Sequence, residues 1–173
     1  TSAEAITQLK GLGLTPVLLT GDNRAVAEHI AAEVGIDEVI AEVMPEDKIA
    51  EVTRLQEQGR IVAMVGDGVN DAPALATADI GVAWGAAGTG VAIETADIAL
   101  MKDDLLKLPE AVGLARRTVR VMHQNIAIAV LTVAALLAGV FAGGVTMAIG
   151  MLVHEASVLL VILNAMRLLR RRD

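Results

Sequence analysis

Residues 64–81 read MVGDGVNDAPALATADIG and set Asp67 and Asp71 four positions apart, with Gly66, Gly68 and Asn70 close by. The apolar run IVAMV, residues 61–65, leads straight into them. A plain turn accounts for Asp67-Gly68 but leaves Asn70 and Asp71 unexplained. Carboxylate and amide oxygens at the tip of a strand suit a hard cation, and glycines there let backbone N–H groups approach an anion. Two shorter stretches carry the same kind of residue: Thr20-Gly21-Asp22 and Lys48 within PEDK. Singly, each is ordinary, since Thr-Gly-Asp is common in turns and a lone lysine is usually a solvated charge.

Such residues need a frame that brings three loops together. Residues 2–13, SAEAITQLKGLG, have helical spacing with Ile6 and Leu9 on one side and glycines at the end. Residues 15–22, TPVLLTGD, form a short buried-strand run that stops at Gly21-Asp22. Residues 23–35, NRAVAEHIAAEVG, resume the helical period, with Val26, Ile30 and Val34 on one face and Gly35 as a stop. EVIAEV at 38–43 is a strand candidate. PEDKIAEVTRLQEQG at 45–59 is a helix with Pro45 near its start, acids in its first turn and Gly59 past its end. RIVAMVGD, IGVAW and DIALM supply three further strands. Strand, loop and helix in repetition predict a parallel sheet with helices on both faces, whose working loops lie at the carboxyl ends of the strands.

The second part of the chain has another character. Residues 1–100 hold 16 acidic and 5 basic side chains, whereas residues 101–173 hold 5 acidic and 9 basic ones. The acidic front offers no basic stripe for phosphate backbones, which excludes nucleic acid as a partner. With no cysteine, the chain has neither disulfides nor a thiolate metal site. From Asn125 to Asn164 the only charged side chain is Glu155. NIAIAVLTVAALLAGVFAGG and VTMAIGMLVHEASVLLVILN each have the length of a bilayer-spanning helix, with Gly143-Gly144 as the hairpin between them. Arg116, Arg117 and Arg120 precede the first span and Arg167, Arg170, Arg171 and Arg172 follow the second, which puts both ends on the cytoplasmic side. The start at Thr1 and the immediate amphipathic pattern suggest a piece of a longer protein.

In this order and at strand ends, the three polar stretches resemble the phosphotransfer core of the haloacid dehalogenase superfamily. MVGDGVNDAPALATADIGVAWG followed by ETADIALM is similar, more narrowly, to the phosphorylation domain of P-type ATPases, and the likeness runs through the whole chain. It implies a Rossmann-like, haloacid dehalogenase-type α/β domain over 1–108 and an amphipathic connecting helix over 109–124. Transmembrane helices over 125–144 and 146–166 and a basic cytoplasmic tail over 167–173 complete the expected layout. Phosphoryl transfer is mostly positioning and electrostatics, which gives the residues their expected roles. Thr20 donates to a phosphoryl oxygen, Gly21 lets the backbone approach, Asp22 belongs to the same catalytic set, Lys48 supplies a fixed positive charge and Asn70 donates to the phosphate. Asp67 coordinates Mg²⁺ and Asp71 completes or orients that site. The nucleophile of the family lies in a DKTGT motif that does not occur here, and its ATP-binding insertion is likewise missing, so the chain alone is expected to be inactive. Gly90 stands where many relatives carry an acid.

Two spans after the phosphorylation domain, with HQNIAIA leading into the first, look like the heavy-metal-transporting class in the plasma membrane. The copper branch usually has a Tyr-Asn pair in the first span, absent here. HEASVLLVILN resembles a His-Glu-Gly motif of the cobalt and zinc branch, with Ala156 and Val158 as departures. A carboxylate inside a span is a functional group by default. Glu155 and His154, with Ser157 and Met151 a turn away, are therefore the expected ligands of the transported ion. Imidazole and carboxylate suit Zn, Co or Cd better than Cu(I), which remains the alternative metal. A membrane-tethered phosphatase of the same superfamily, or an inactive truncated piece, is the alternative function.

Overall fold

The computed structural model describes residues 1–66, 69–84, 94–100 and 104–169. Asp67, Gly68, Gly90, Met101 and Arg170–Arg172 therefore lie outside the described residues. The chain divides into two compact units, Thr1–Ala111 and Val112–Asp173.

In the first unit, helices and strands alternate as the hydrophobic periods require. They are α1 (Ser2–Gly11), β1 (Val17–Leu19), α2 (Arg24–Val34), β2 (Glu38–Ile40), α3 (Lys48–Glu57), β3 (Ala63–Gly66), α4 (Ala72–Thr77), β4 (Ile80–Trp84) and β5 (Ile98–Leu100). Short 3₁₀ turns, Pro45–Asp47 and Val69–Asp71, precede α3 and α4. Every strand pair among the described residues is parallel, with Leu18 opposite Val39, Val65 opposite Val82 and Ala83 opposite Ala99. The ladder does not run through one sheet. It divides into β1–β2 and β3–β4–β5, because no described strand pairs with both β1 and β3. The two sheets nevertheless share a core: Val52 of α3, Met64 of β3, Ala74 and Leu75 of α4 and Ala83 of β4 cluster, and Leu19 of β1 packs against them. Full burial of Val52, Leu75 and Val82 stabilises the unit by about 1.5–3 kcal/mol for each side chain.

Local residues account for two of the helix ends. The Asn23 side chain accepts the Val26 N–H at 3.0 Å as the cap of α2. After α3, Gly59 adopts φ +79°, and the Gly59 and Arg60 N–H groups return to the carbonyls of Gln56 and Leu55. That left-handed closure suits glycine and turns the chain into β3. One expectation fails in α2. Its buried positions are Ala27 and Ala31, while Val26 and Ile30 are exposed. Small side chains let α2 lie close to α1, which contributes Ala5, Ile6 and Leu9, and the branched residues one position away are turned outward.

Two aspartates fix the lower ends of the second sheet. Asp79 accepts the Val62 N–H at 2.8 Å and a Gln56 amide proton at 3.2 Å, and these bonds hold its carboxyl below the usual range. Asp97 accepts the Gly81 N–H at 2.8 Å while its own N–H donates to the Gly81 carbonyl. Each sits in a Thr-Ala-Asp-Ile segment, 77–80 and 95–98, and pins the neighbouring parallel strand.

The second unit is a helical hairpin of α5 (Lys107–Phe141), most of which belongs to it, and α6 (Met147–Met166). At a rise of about 1.5 Å per residue, α5 is about 52 Å long, well beyond the hydrocarbon thickness of roughly 30 Å, while α6 matches it. The backbone is continuous from the amphipathic segment into the first apolar run. Gly143, at φ +71°, closes α5 with its N–H on Val140 and the Gly144 N–H on Gly139, and Thr146 then caps α6. The apolar stretches of both helices are exposed, including Leu131 at 69% and Leu152 at 73%. A surface this apolar and this long fits lipid rather than water.

Candidate active site

The site forms at the carboxyl ends of β1 and β3, where parallel strands deliver their loops. After β1, the Thr20 hydroxyl donates to Asp22 at 2.9 Å, and the Asp22 N–H donates back to that hydroxyl oxygen at 3.2 Å. This small closed turn is tied to the segment after β2: the Glu42 N–H donates to the Asp22 carbonyl and the Val43 N–H to the Thr20 carbonyl. Glu42 takes φ +61°, an unfavourable region for a residue with a Cβ, and the tie holds it there. Gly21 lies so close that a Cβ on it would meet the Val43 carbonyl oxygen at 3.2 Å. Val43 is buried, Met44 follows, and the Pro45–Asp47 turn brings the chain to Lys48 at the start of α3. The first two predicted stretches thus form one connected piece of backbone.

Lys48 joins that piece to the third stretch. Its Nζ donates to Asp71 Oδ1 at 2.6 Å, with side chains only 18% and 13% exposed. The contrast with Lys10–Asp37, where the carboxylate is 88% exposed, is instructive. Solvated pairs are worth roughly 0–1 kcal/mol, whereas breaking a buried pair strands a charge and costs about 3–5 kcal/mol. Asp71 closes the Val69–Asp71 turn and stands ahead of α4, whose Pro73 tolerates a helix start. Gly66, the last residue of β3, makes room for it. A Cβ there would fall 2.7 Å from Asp71 Cβ and 2.9 Å from Oδ2. Oδ2 itself accepts no hydrogen bond among the described residues.

Of the predicted site residues, the structure links Thr20, Gly21, Asp22, Lys48 and Asp71, and leaves Asn70 exposed beside them. The Thr20 hydroxyl proton is engaged with Asp22 rather than presented outward. Asp67 lies outside the described residues. In the hairpin, Met151, His154, Glu155 and Ser157 all belong to α6; the first three are exposed, and the Ser157 hydroxyl donates to the His154 carbonyl at 2.7 Å. Among the described residues, no three His, Asp or Glu side chains converge as a metal site. Sequence reasoning missed the Gly66–Asp71 contact and the tie through Glu42 and Val43. Gly66 was visible as a glycine directly before Asp67, but the reach of Asp71 back over it depends on the intervening 3₁₀ turn.

A family model described as haloacid dehalogenase-like hydrolase matches residues 1–79. A manganese-exporting P-type ATPase of Mycobacterium bovis is 48% identical over 173 residues, covering 99% of this chain and 24% of the relative. A probable cadmium-transporting ATPase of Staphylococcus aureus is 47% identical over 175 residues, covering 100% of this chain and again 24% of the relative. The chain thus spans about a quarter of the length of the curated relatives it matches. Among solved structures, a zinc-transporting PIB-type ATPase in its E2.Pi state superposes with a TM-score of 0.87 at 44% identity, covering 97% of this chain and 27% of that one.

Proposed function

This chain belongs to the heavy-metal P-type ATPases, with a haloacid dehalogenase-like domain followed by two membrane helices, and from that premise we propose that it handles the phosphoryl group in an ATP-driven metal exporter. The aspartyl-phosphate of that cycle forms on a residue outside these 173, as does ATP binding. The ion is a divalent heavy metal, Zn, Co or Cd. The hard and borderline donors His154 and Glu155 support this, as do the zinc, cadmium and manganese named for the relatives. The arginines flanking the hairpin support a plasma-membrane protein with both ends of this segment cytoplasmic.

The geometry supports a role for each residue. Lys48 is held rigid by Asp71 and keeps a positive charge at the strand ends without paying reorganisation during transfer. Thr20 turns its hydroxyl from Asp22 to a phosphoryl oxygen, Gly21 admits backbone approach, and Asn70 donates from the exposed rim. The donor set fits Mg²⁺, because Asp71 Oδ2 is a hard oxygen that accepts no hydrogen bond among the described residues and lies 2.9 Å from where a Cβ on Gly66 would stand, and Asp67 is a second carboxylate four positions earlier in the sequence. When bound, Mg²⁺ neutralises charge on the phosphoryl oxygens. Asp67 and Asp71 would hold it.

The Lys48–Asp71 pair is the observation that carries this reading. In the full-length protein reconstituted in vesicles, Lys48→Ala should lower zinc-stimulated ATP hydrolysis by about 10²-fold or more while membrane insertion is retained. Turnover within a few-fold of the parent would assign the charge to another residue.

A further inference from the structure

The end of the hairpin remote from Gly143-Gly144 carries polar groups that the transport reading does not use. Asn164 is the hub: its Nδ2 donates to Gln124 Oε1 at 3.2 Å and to Asn125 Oδ1 at 2.9 Å, and its Oδ1 accepts from Arg167 Nη1 at 3.0 Å. Arg117 donates to the Arg167 carbonyl and so holds the end of α6 against α5. What remains is one-sided. The amide N–H₂ groups of Gln124 and Asn125 and the other N–H groups of Arg167 have no acceptor among the described residues, and they outnumber the second lone pairs left on the three amide oxygens, each of which already accepts one bond. The donors of Gln124 and Arg167 border a groove of about 470 Å³ lined by these two with Ala127, Ile128, Leu160 and Asn164. The groove is thus polar and cationic at the arginine end and apolar along Ala127, Ile128 and Leu160.

We propose that this groove binds an anionic phospholipid, with its phosphate on Arg167 and Gln124 and an acyl chain along Ala127, Ile128 and Leu160. Surplus donors beside a guanidinium call for an acceptor-rich anion, and the apolar floor distinguishes a lipid from a free phosphate. The groove lies where Arg117 and Arg167 flank the apolar spans, the depth of a headgroup on the basic side of a bilayer. The inference rests on the reading of α5 and α6 as bilayer-spanning, and it adds a lipid site distinct from His154 and Glu155.

The test reconstitutes the full chain into vesicles containing equal amounts of phosphatidylglycerol and phosphatidylcholine with identical acyl chains. Flotation reports insertion, and native mass spectrometry after detergent extraction counts retained lipid. Phosphatidylglycerol should be retained about fivefold over phosphatidylcholine, the size of one interfacial arginine contact. Arg167→Gln should bring the two lipids to parity, Gln124→Leu should lower the preference, and Arg167→Lys should keep it within about twofold. Arg120→Gln, a charge on the same helix outside the groove, should leave it unchanged, and millimolar inorganic phosphate should not displace the lipid. Equal retention of both lipids by an inserted chain, as when another polypeptide covers the groove, would overturn the site. Displacement by free phosphate, or an equal loss in Arg120→Gln, would overturn it too. A chain that fails to float would overturn the membrane reading itself, and the lipid site with it.

Discussion

Gly66→Ala adds a single methyl group to the strand end and should disable the site without touching a charged residue. The Gly66 backbone is outside the left-handed region, so alanine meets no φ penalty, and the effect comes from contact alone. The new Cβ would stand 2.7 Å from Asp71 Cβ and 2.9 Å from its Oδ2, where carbon contacts normally begin near 3.4 Å. Asp71 is anchored ahead of α4, whose Ala74 and Leu75 are buried, so it can relieve the clash only by leaving Lys48. Overpacking of this kind costs about 1–3 kcal/mol, which for a unit of this size lowers the melting temperature by roughly 5–15 °C. Trp84 at the end of β4 is the only tryptophan, so its fluorescence reports the melting of this unit. In the full-length protein, a shift of Asp71 and Lys48 by about 1 Å should slow metal-stimulated turnover by about 10²-fold. Parent-like melting and turnover in Gly66→Ala would refute the packing of Asp71 over β3 and the role built on it.

Asp79 has a folded pKa below its unfolded value, so its contribution to stability is complete above the usual carboxylate range and is lost as pH falls through the depressed pKa. Urea midpoints of the parent should therefore drop on acidification below about pH 4, and Asp79→Asn should flatten that drop; identical profiles would remove Asp79 from the account. The chain by itself should release no phosphate from ATP or a phosphate ester above an Asp67→Ala control, and Asp67-dependent turnover would defeat the reading that the acceptor lies elsewhere. In the full-length protein, Glu155→Ala should abolish stimulation by Zn²⁺, Co²⁺ and Cd²⁺ while phosphorylation from inorganic phosphate persists; full stimulation would take Glu155 out of the transport site.

Much of the fold was legible because local signals agreed with tertiary packing. Glycines 35 and 59 stop helices where the period ends, Asn23 caps α2, and the apolar runs after Gln124 lie in two long helices around Gly143. The helix-facing choice in α2 was not legible, since hydrophobicity favours Val26 and Ile30 while close approach to α1 favours Ala27 and Ala31. The division into β1–β2 and β3–β4–β5 was equally hidden, because strand spacing announces strands but not their neighbours. The repeated Thr-Ala-Asp-Ile at 77–80 and 95–98 was in plain view, yet its meaning depends on which strand lies beside each aspartate. At the site, the residue types were readable and the links among them were not. Thr20 closes on Asp22, and Lys48 finds Asp71 across 23 positions, only once β1 and β3 lie in place.

On the proposed function, these residues serve a phosphoryl group carried by an aspartate outside the chain. Brief labelling of the zinc-loaded full-length protein with γ-labelled ATP, followed by peptide mapping of the acid-stable, hydroxylamine-sensitive label, tests it most directly. A single labelled peptide outside residues 1–173 is expected, with a label that turns over more slowly in Lys48→Ala. Label on Asp22, Asp67 or Asp71 would contradict it.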